Sequence, residues 1–104
     1  MNELQDLQDW YGHQCNGDWE HSYGVCIETL DNPGWLLKID VVGTPLETKP
    51  FEKVERPGEL DWINCQRSET QFVAAGGSKM LPALISVFLD WARTFDQEPN
   101  NSLS

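Results

Sequence analysis

The chain has 104 residues, with 17 Asp plus Glu against 7 Lys plus Arg, a formal charge of −10 and a sequence pI near 4.3. That length supports one small domain, and five Trp, four Phe and two Tyr carry too much apolar surface for a disordered chain. The acidic balance argues against nucleic acid or an anionic membrane as ligand, because phosphates recruit Lys and Arg.

Asn2 is placed to cap a first helix from about Glu3 to Gln14, with Leu4, Leu7, Tyr11 and Cys15 as its apolar stripe. Asp6, Asp9 and His13 fall on the opposite, solvent face, and Asn16-Gly17 supplies the stop. Asp18 to Ser22 reads as a loop leading into a strand from Tyr23 to Leu30. Asp31-Asn32-Pro33-Gly34 is a strong turn signal: Pro33 pre-sets φ, and Gly34 is expected to take the positive φ of a type II turn. Trp35 to Val42 then alternates as the return strand of a hairpin. Gly43 to Pro50 is a connection, and Phe51 to Arg56 a short edge strand confined by Pro50 and Pro57.

Trp62 to Arg67 and Gln71 to Ala75 form a second hairpin, which Gly76-Gly77 ends. Ser78 is placed to cap a last helix from about Lys79 to Phe95, with Pro82 tolerated in its first turn. That helix has two adjoining apolar stripes. One runs through Leu81, Leu84, Ile85, Phe88, Ala92 and Phe95, the other through Met80, Leu84, Val87 and Trp91, which predicts contact with both a sheet and another helix. The whole is an α+β domain over 1–96: an antiparallel sheet of about four strands, in two hairpins with a short edge strand, and N- and C-terminal helices packed on one face. Residues 97–104 are expected to be a polar, disordered tail.

The charge is uneven. Met1 to Leu37 holds Glu3, Asp6, Asp9, Asp18, Glu20, Glu28 and Asp31 and no Lys or Arg, so −7 of the net −10 lies there. Such a field either steers a cationic partner or forms a solvated face that keeps the protein soluble. MNELQDLQDW lacks the basic and apolar regions of a signal peptide, and no apolar run approaches the ~18 residues that span a bilayer. Cys15, Cys26 and Cys65 are an odd set with no CxxC pair, which suits reduced thiols and a cytoplasmic location.

His13, Cys15, Asp18, Glu20 and His21 crowd nine positions but lack the paired Cys and His spacing of a zinc site. Electronegative surroundings suppress the thiolate that a Cys–His nucleophile needs. Among 17 acids, carboxylate pairs arise by chance, and Gly76-Gly77-Ser78 carries no phosphate-loop pattern. No catalytic residue, metal ligand or cofactor is therefore assigned. The alternatives are a small metal- or thiol-dependent enzyme using His13, Cys15 and His21, or a generic protein-binding scaffold subunit. The tryptophans say more. Trp10 and Trp91 sit on helix stripes and suit packing. Trp35 follows a turn, Trp62 follows Glu59-Leu60-Asp61, and Trp19 lies between Asp18 and Glu20. Aromatics beside acids at loop and strand ends suit interface anchors; the competing reading of Trp19 is a ring folded back over the core.

Leu7-Gln8-Asp9-Trp10-Tyr11, the run from Gln14 to Gly24 and Thr29-Leu30-Asp31-Asn32-Pro33-Gly34-Trp35 form a specific central pattern of Trp, Cys, His, Pro and Gly. With Asp61-Trp62, Gly76-Gly77 and Phe88-Leu89-Asp90-Trp91-Ala92, it resembles the immunity protein 53 family, small bacterial proteins of polymorphic toxin systems. The similarity runs from about Leu4 to Ala92, and Ser78-Lys79-Met80-Leu81-Pro82 departs from the pattern. The resemblance implies a non-enzymatic antitoxin that binds a cognate toxin and blocks it. A toxin that is basic at its binding surface suits the acidic charge, and a nuclease is the natural target because its cleft holds phosphates. Asp18, Trp19, Glu20, Asp31, Trp35, Asp61 and Trp62 are the expected toxin-binding residues. The oligomeric state is left open.

Overall fold

In the computed structural model, which describes residues 2–103 and side chains through Arg93, the chain runs α1 (Glu3–Gln14), α2 (Trp19–Ser22), β1 (Val25–Leu30), β2 (Gly34–Asp40), β3 (Val54–Arg56), β4 (Ile63–Arg67), β5 (Gln71–Gly76) and α3 (Leu81–Leu103). The expected tail over 97–104 falls beyond the described side chains. The α+β architecture is as expected, with five strands in the order β1-β2-β5-β4-β3 and every neighbouring pair antiparallel. The two hairpins join through β2 and β5, in a register that sets Leu37 opposite Ala74 and Ile39 opposite Phe72.

Alternation along the strands turns Leu37, Ile39, Ile63, Cys65, Phe72 and Ala74 to one face, and all six are buried. α3 lies across that face and packs α1 beside it. Its broad apolar arc meets both, as the two stripes predict: Leu84, Ile85, Phe88, Leu89 and Trp91 are buried.

Several local expectations change. Asn2 caps α1 by accepting from Gln5 N at 3.1 Å. The helix is nevertheless rotated from its expected stripe: Leu7 is buried, but Leu4 and Tyr11 are exposed. Trp10 takes their place, its ring 5.0 Å edge-on from Phe88, because indole brings more apolar area to α3 than either side chain it displaces. Asp6, assigned to solvent, consequently reaches Arg93 of α3 at 2.9 Å. The loop expected over Asp18–Ser22 contains the short turn of α2, so β1 starts at Val25 rather than Tyr23.

Gly34 does not take positive φ; Gly17 and Gly43 do. Glycine stands at 34 because a Cβ there would strike the Gly76 carbonyl on β5. Ser78 is not a helix cap either. Met80 N donates to Gly77 O, Leu84 N donates to Met80 O, and α3 begins only at Leu81. The Ser78 carbonyl is used elsewhere, as described below.

The segment from Val41 to Phe51 must cross β5 and β4 to bring the chain from β2 to β3. It buries Val41 and Leu46 in the core, and Thr44 Oγ1 donates to Val41 O while accepting from Leu46 N. Its carbonyls meet Arg67 at the end of β4. That guanidinium donates to Leu46 O, Lys49 O and Glu47 O, and also to Ser68 O and Glu69 O, at 2.7–3.0 Å. All five N–H donors of the side chain are thereby engaged by backbone. Lys49 Nζ donates to Trp91 O, and Trp91 Nε1 donates to Pro50 O, tying the same segment to α3.

Lysine keeps the charge at this position but has neither the fork nor the donor count. Arg67→Lys should cost about 1–3 kcal/mol and Arg67→Ala ~2–4 kcal/mol, since charge-assisted bonds are worth roughly 1.5–3 kcal/mol each before water replaces some. Urea unfolding of both variants measures this. A Lys variant as stable as the parent would remove Arg67 from the account.

Candidate functional site

The end of the sheet that carries the β1–β2 turn is built on close backbone approach. Gly76 pairs with Trp35 on one side and with Ile63 on the other. Trp35 Nε1 donates to Ser78 O at 2.9 Å, and Gly77 N donates to Trp62 O at 3.1 Å. A Cβ on Gly77 would strike the Leu60 carbonyl. These contacts gather the Asp31–Gly34 turn, Trp35, Leu60-Asp61-Trp62 and Gly76-Gly77-Ser78 at one end. Leu60 stands 78% exposed there. Asp31 and Asp61 are exposed, and Trp35 and Trp62 are half-buried. Trp62 also lines a shallow groove with Glu55, Pro57 and Asn64, where Asn64 Oδ1 is buried without a hydrogen-bond partner.

Asp18, Trp19 and Glu20 lie at the other end of the sheet, roughly 20 Å away at about 3.3 Å per strand residue. The seven expected residues therefore divide into two groups. Trp19 is only 6% exposed. Its Nε1 donates to Val42 O at 2.8 Å, and its ring sits among those of Trp10, Tyr11 and Tyr23 at 6.0–6.2 Å. Gly43, at φ +79°, passes beneath it; a Cβ there would lie 3.2 Å from the indole. The ring anchors the loop to the body of the protein, and Asp18 is exposed beside it.

Glu20 is turned back onto the loop. Its carboxylate accepts from Asn16 N at 2.9 Å and Gly17 N at 2.8 Å, while Asn16 Oδ1 accepts from Asp18 N and Trp19 N, both at 3.0 Å. This reciprocal arrangement works as a capping box and holds α2 in place. Hydrogen bonds from its own N–H and from those of Asn16 and Gly17 hold the Glu20 carboxyl below its ordinary value.

Of the groups considered for catalysis, His13 and Cys15 are engaged locally and His21 is exposed. His13 Nδ1 donates to Asp9 O at 2.9 Å, and the Cys15 thiol donates to Tyr11 O at 3.3 Å. Burial pushes the Cys65 thiol up to about 11; partial desolvation and the Glu28 carboxylate raise that of Cys26. Among the described residues, no three His, Cys, Asp or Glu side chains stand together in a group able to hold a metal. Nor, among them, is any helix long and apolar enough to cross a membrane.

Compared with known proteins, residues 4–93 match the model of the family described as immunity protein 53. No curated protein and no solved structure matches.

The Glu20 cap has a pH signature. Because its folded value lies below the ordinary 4.5, the stability it contributes is fully present above that value and is lost as pH falls through the folded one. Glu20→Gln presents a donor to one of the two loop N–H groups and should be less stable than the parent at neutral pH. Denaturant unfolding from neutral to strongly acid pH should show the difference shrinking only below the ordinary value. A difference independent of pH would contradict the cap.

Proposed function

The chain belongs to the immunity protein 53 family, and on that premise we propose that it is an antitoxin that binds a cognate bacterial toxin and blocks it without chemistry of its own. The family match carries this reading. The arrangement of the surface supports it: Asp31, Trp35, Asp61 and Trp62 share one end of the sheet with exposed Leu60, a combination of apolar anchor and carboxylates suited to an interface centre and its rim.

Arg56 and Lys79 adjoin this end, so anchoring here depends on the aromatic and aliphatic surface as much as on charge. The long-range field comes from the acids before Lys38, Asp18 among them, of which Asp6 is engaged by Arg93. A field of this sign speeds encounter with a basic surface and slows it with an acidic one. The partner is then a toxin basic at its binding surface, with a nuclease the class whose cleft must be basic. It is met in the cytoplasm, and neither nucleic acid nor membrane is a ligand of this chain.

The double variant Asp31→Lys/Asp61→Lys tests the placement. In co-expression with the cognate toxin, protection should fall, and association measured with purified proteins should slow by roughly tenfold or more with a weaker salt dependence. Circular dichroism and tryptophan fluorescence like those of the parent certify the fold. Full protection by a folded double variant would move the interface away from this end.

A further inference from the structure

Leu4, Tyr11, Tyr23 and Ile27 make up most of the large apolar side chains left exposed among the described residues, at 51%, 38%, 37% and 37%. They gather along one border of the fold. Leu4, Leu7 and Tyr11 of α1 face Val25 and Ile27 of β1 across a shallow groove, and the Tyr11 and Tyr23 rings each contact the Trp19 ring. Apolar surface collected in this way marks an interaction site more often than scattered residues do.

The same border is an open sheet edge. β1 pairs with β2 and lies at the end of the strand order. Asp40 N donates to Gly24 O at 3.0 Å, which sets the alternation of the ladder. The N–H and C=O groups of Val25, Ile27 and Thr29 consequently point away from β2. Natural edges are commonly blunted by Lys, Pro or a bulge; β1 has neither residue, and its register with β2 is unbroken over Val25–Leu30. An extended segment would satisfy both features at once, pairing with the backbone and laying alternate side chains in the groove.

Charge selects the segment. α1 and β1 carry Glu3, Asp6, Asp9 and Glu28 and no Lys or Arg; Arg93 reaches Asp6, and Lys38 stands opposite Cys26 in the ladder. A second copy of the chain brings the same acids to the same border and is repelled. A basic strand is attracted. Its residues on the α1 side meet Val25, Ile27 and Leu4, and those on the other side lie beside Glu28.

We propose that β1 accepts a sixth strand, an extended segment of the toxin that alternates apolar residues toward α1 with basic residues toward Glu28. The antitoxin reading supplies only the source of the segment, and the following test does not use the toxin. The 15N-labelled protein is titrated with a synthetic eight-residue peptide alternating Val and Lys, and with a Val and Glu peptide of equal length. The Lys peptide should shift resonances of β1 and α1 saturably and slow amide exchange at Val25, Ile27 and Thr29 by about tenfold or more, as new ladder bonds do. The Glu peptide should do neither.

Ile27→Pro removes an outward N–H without taking a bond from β2 and should abolish the protection. Glu28→Lys, which leaves the backbone untouched, should weaken the Lys peptide. Unchanged exchange at those three amides with millimolar Lys peptide, or equal binding of the Glu peptide, overturns the strand proposal. Either result leaves the antitoxin reading intact, because that reading is tested by the toxin's own complex with this protein.

Discussion

One guanidinium group lets the chain cross its own sheet. The order β1-β2-β5-β4-β3 requires the segment after β2 to pass over two strands before β3 can form the far edge. Such a crossing carries backbone carbonyls that neither a helix nor a ladder satisfies. Arg67 meets three of them with its terminal N–H groups while its other two donors hold the β4–β5 turn, and its guanidinium carbon lies 5.9 Å from the centre of the Trp91 ring. Held in this way, the crossing places Leu46 in the core and Phe51 against Phe72 and Trp91, both at 5.3 Å. A cation in an acidic protein is thus directed at backbone rather than at the surplus of carboxylates.

From Phe51 the aromatic contacts continue through Phe72, Phe88, Trp10 and Trp19 to Tyr11 and Tyr23 at the surface. This chain of rings divides the tryptophans by task. Trp10, Trp19 and Trp91 hold α1, the acidic loop and the crossing segment to the core. Trp35 and Trp62 remain half-buried at the turn end, fixed by backbone of the Gly76-Gly77-Ser78 run. The glycines there exist for proximity: Gly34 and Gly77 admit neighbouring carbonyls where any side chain would collide.

What was legible in the sequence was what depends on near neighbours. The Asn2 cap, the β1–β2 hairpin, the alternation of β4 and β5 and the two-sided apolar arc of α3 all follow from residues a few positions apart. The buried stripe of α1 departs from its spacing because spacing alone weights Leu4 and Tyr11 as heavily as Trp10, whereas the facing surface of α3 rewards the larger ring. Gly34 invited a turn argument, but its reason is a carbonyl 42 positions away on β5. Arg67 was silent, since nothing local distinguishes a guanidinium that meets five carbonyls from one in solvent. The burial of Trp19 had one local signal: Asn16 and Glu20 bracket it at a spacing that lets their side chains cap the loop reciprocally. The candidate site followed the same division. Its residues stand out singly along the chain, and only the topology sorts them into two groups at opposite ends of the sheet.

Family membership, an aromatic end with exposed Leu60 and an acidic first third all fit a protein that acts by occupying another protein's surface. An enzyme that inactivated the toxin would do so at far below one copy per toxin, whereas an antitoxin that binds must be present in equal amount. The decisive measurement is a titration of the purified toxin's activity with this protein at concentrations well above the dissociation constant. Activity should fall linearly to zero at one equivalent and return when the complex is dissociated. Complete and lasting loss at a small fraction of an equivalent would contradict the account.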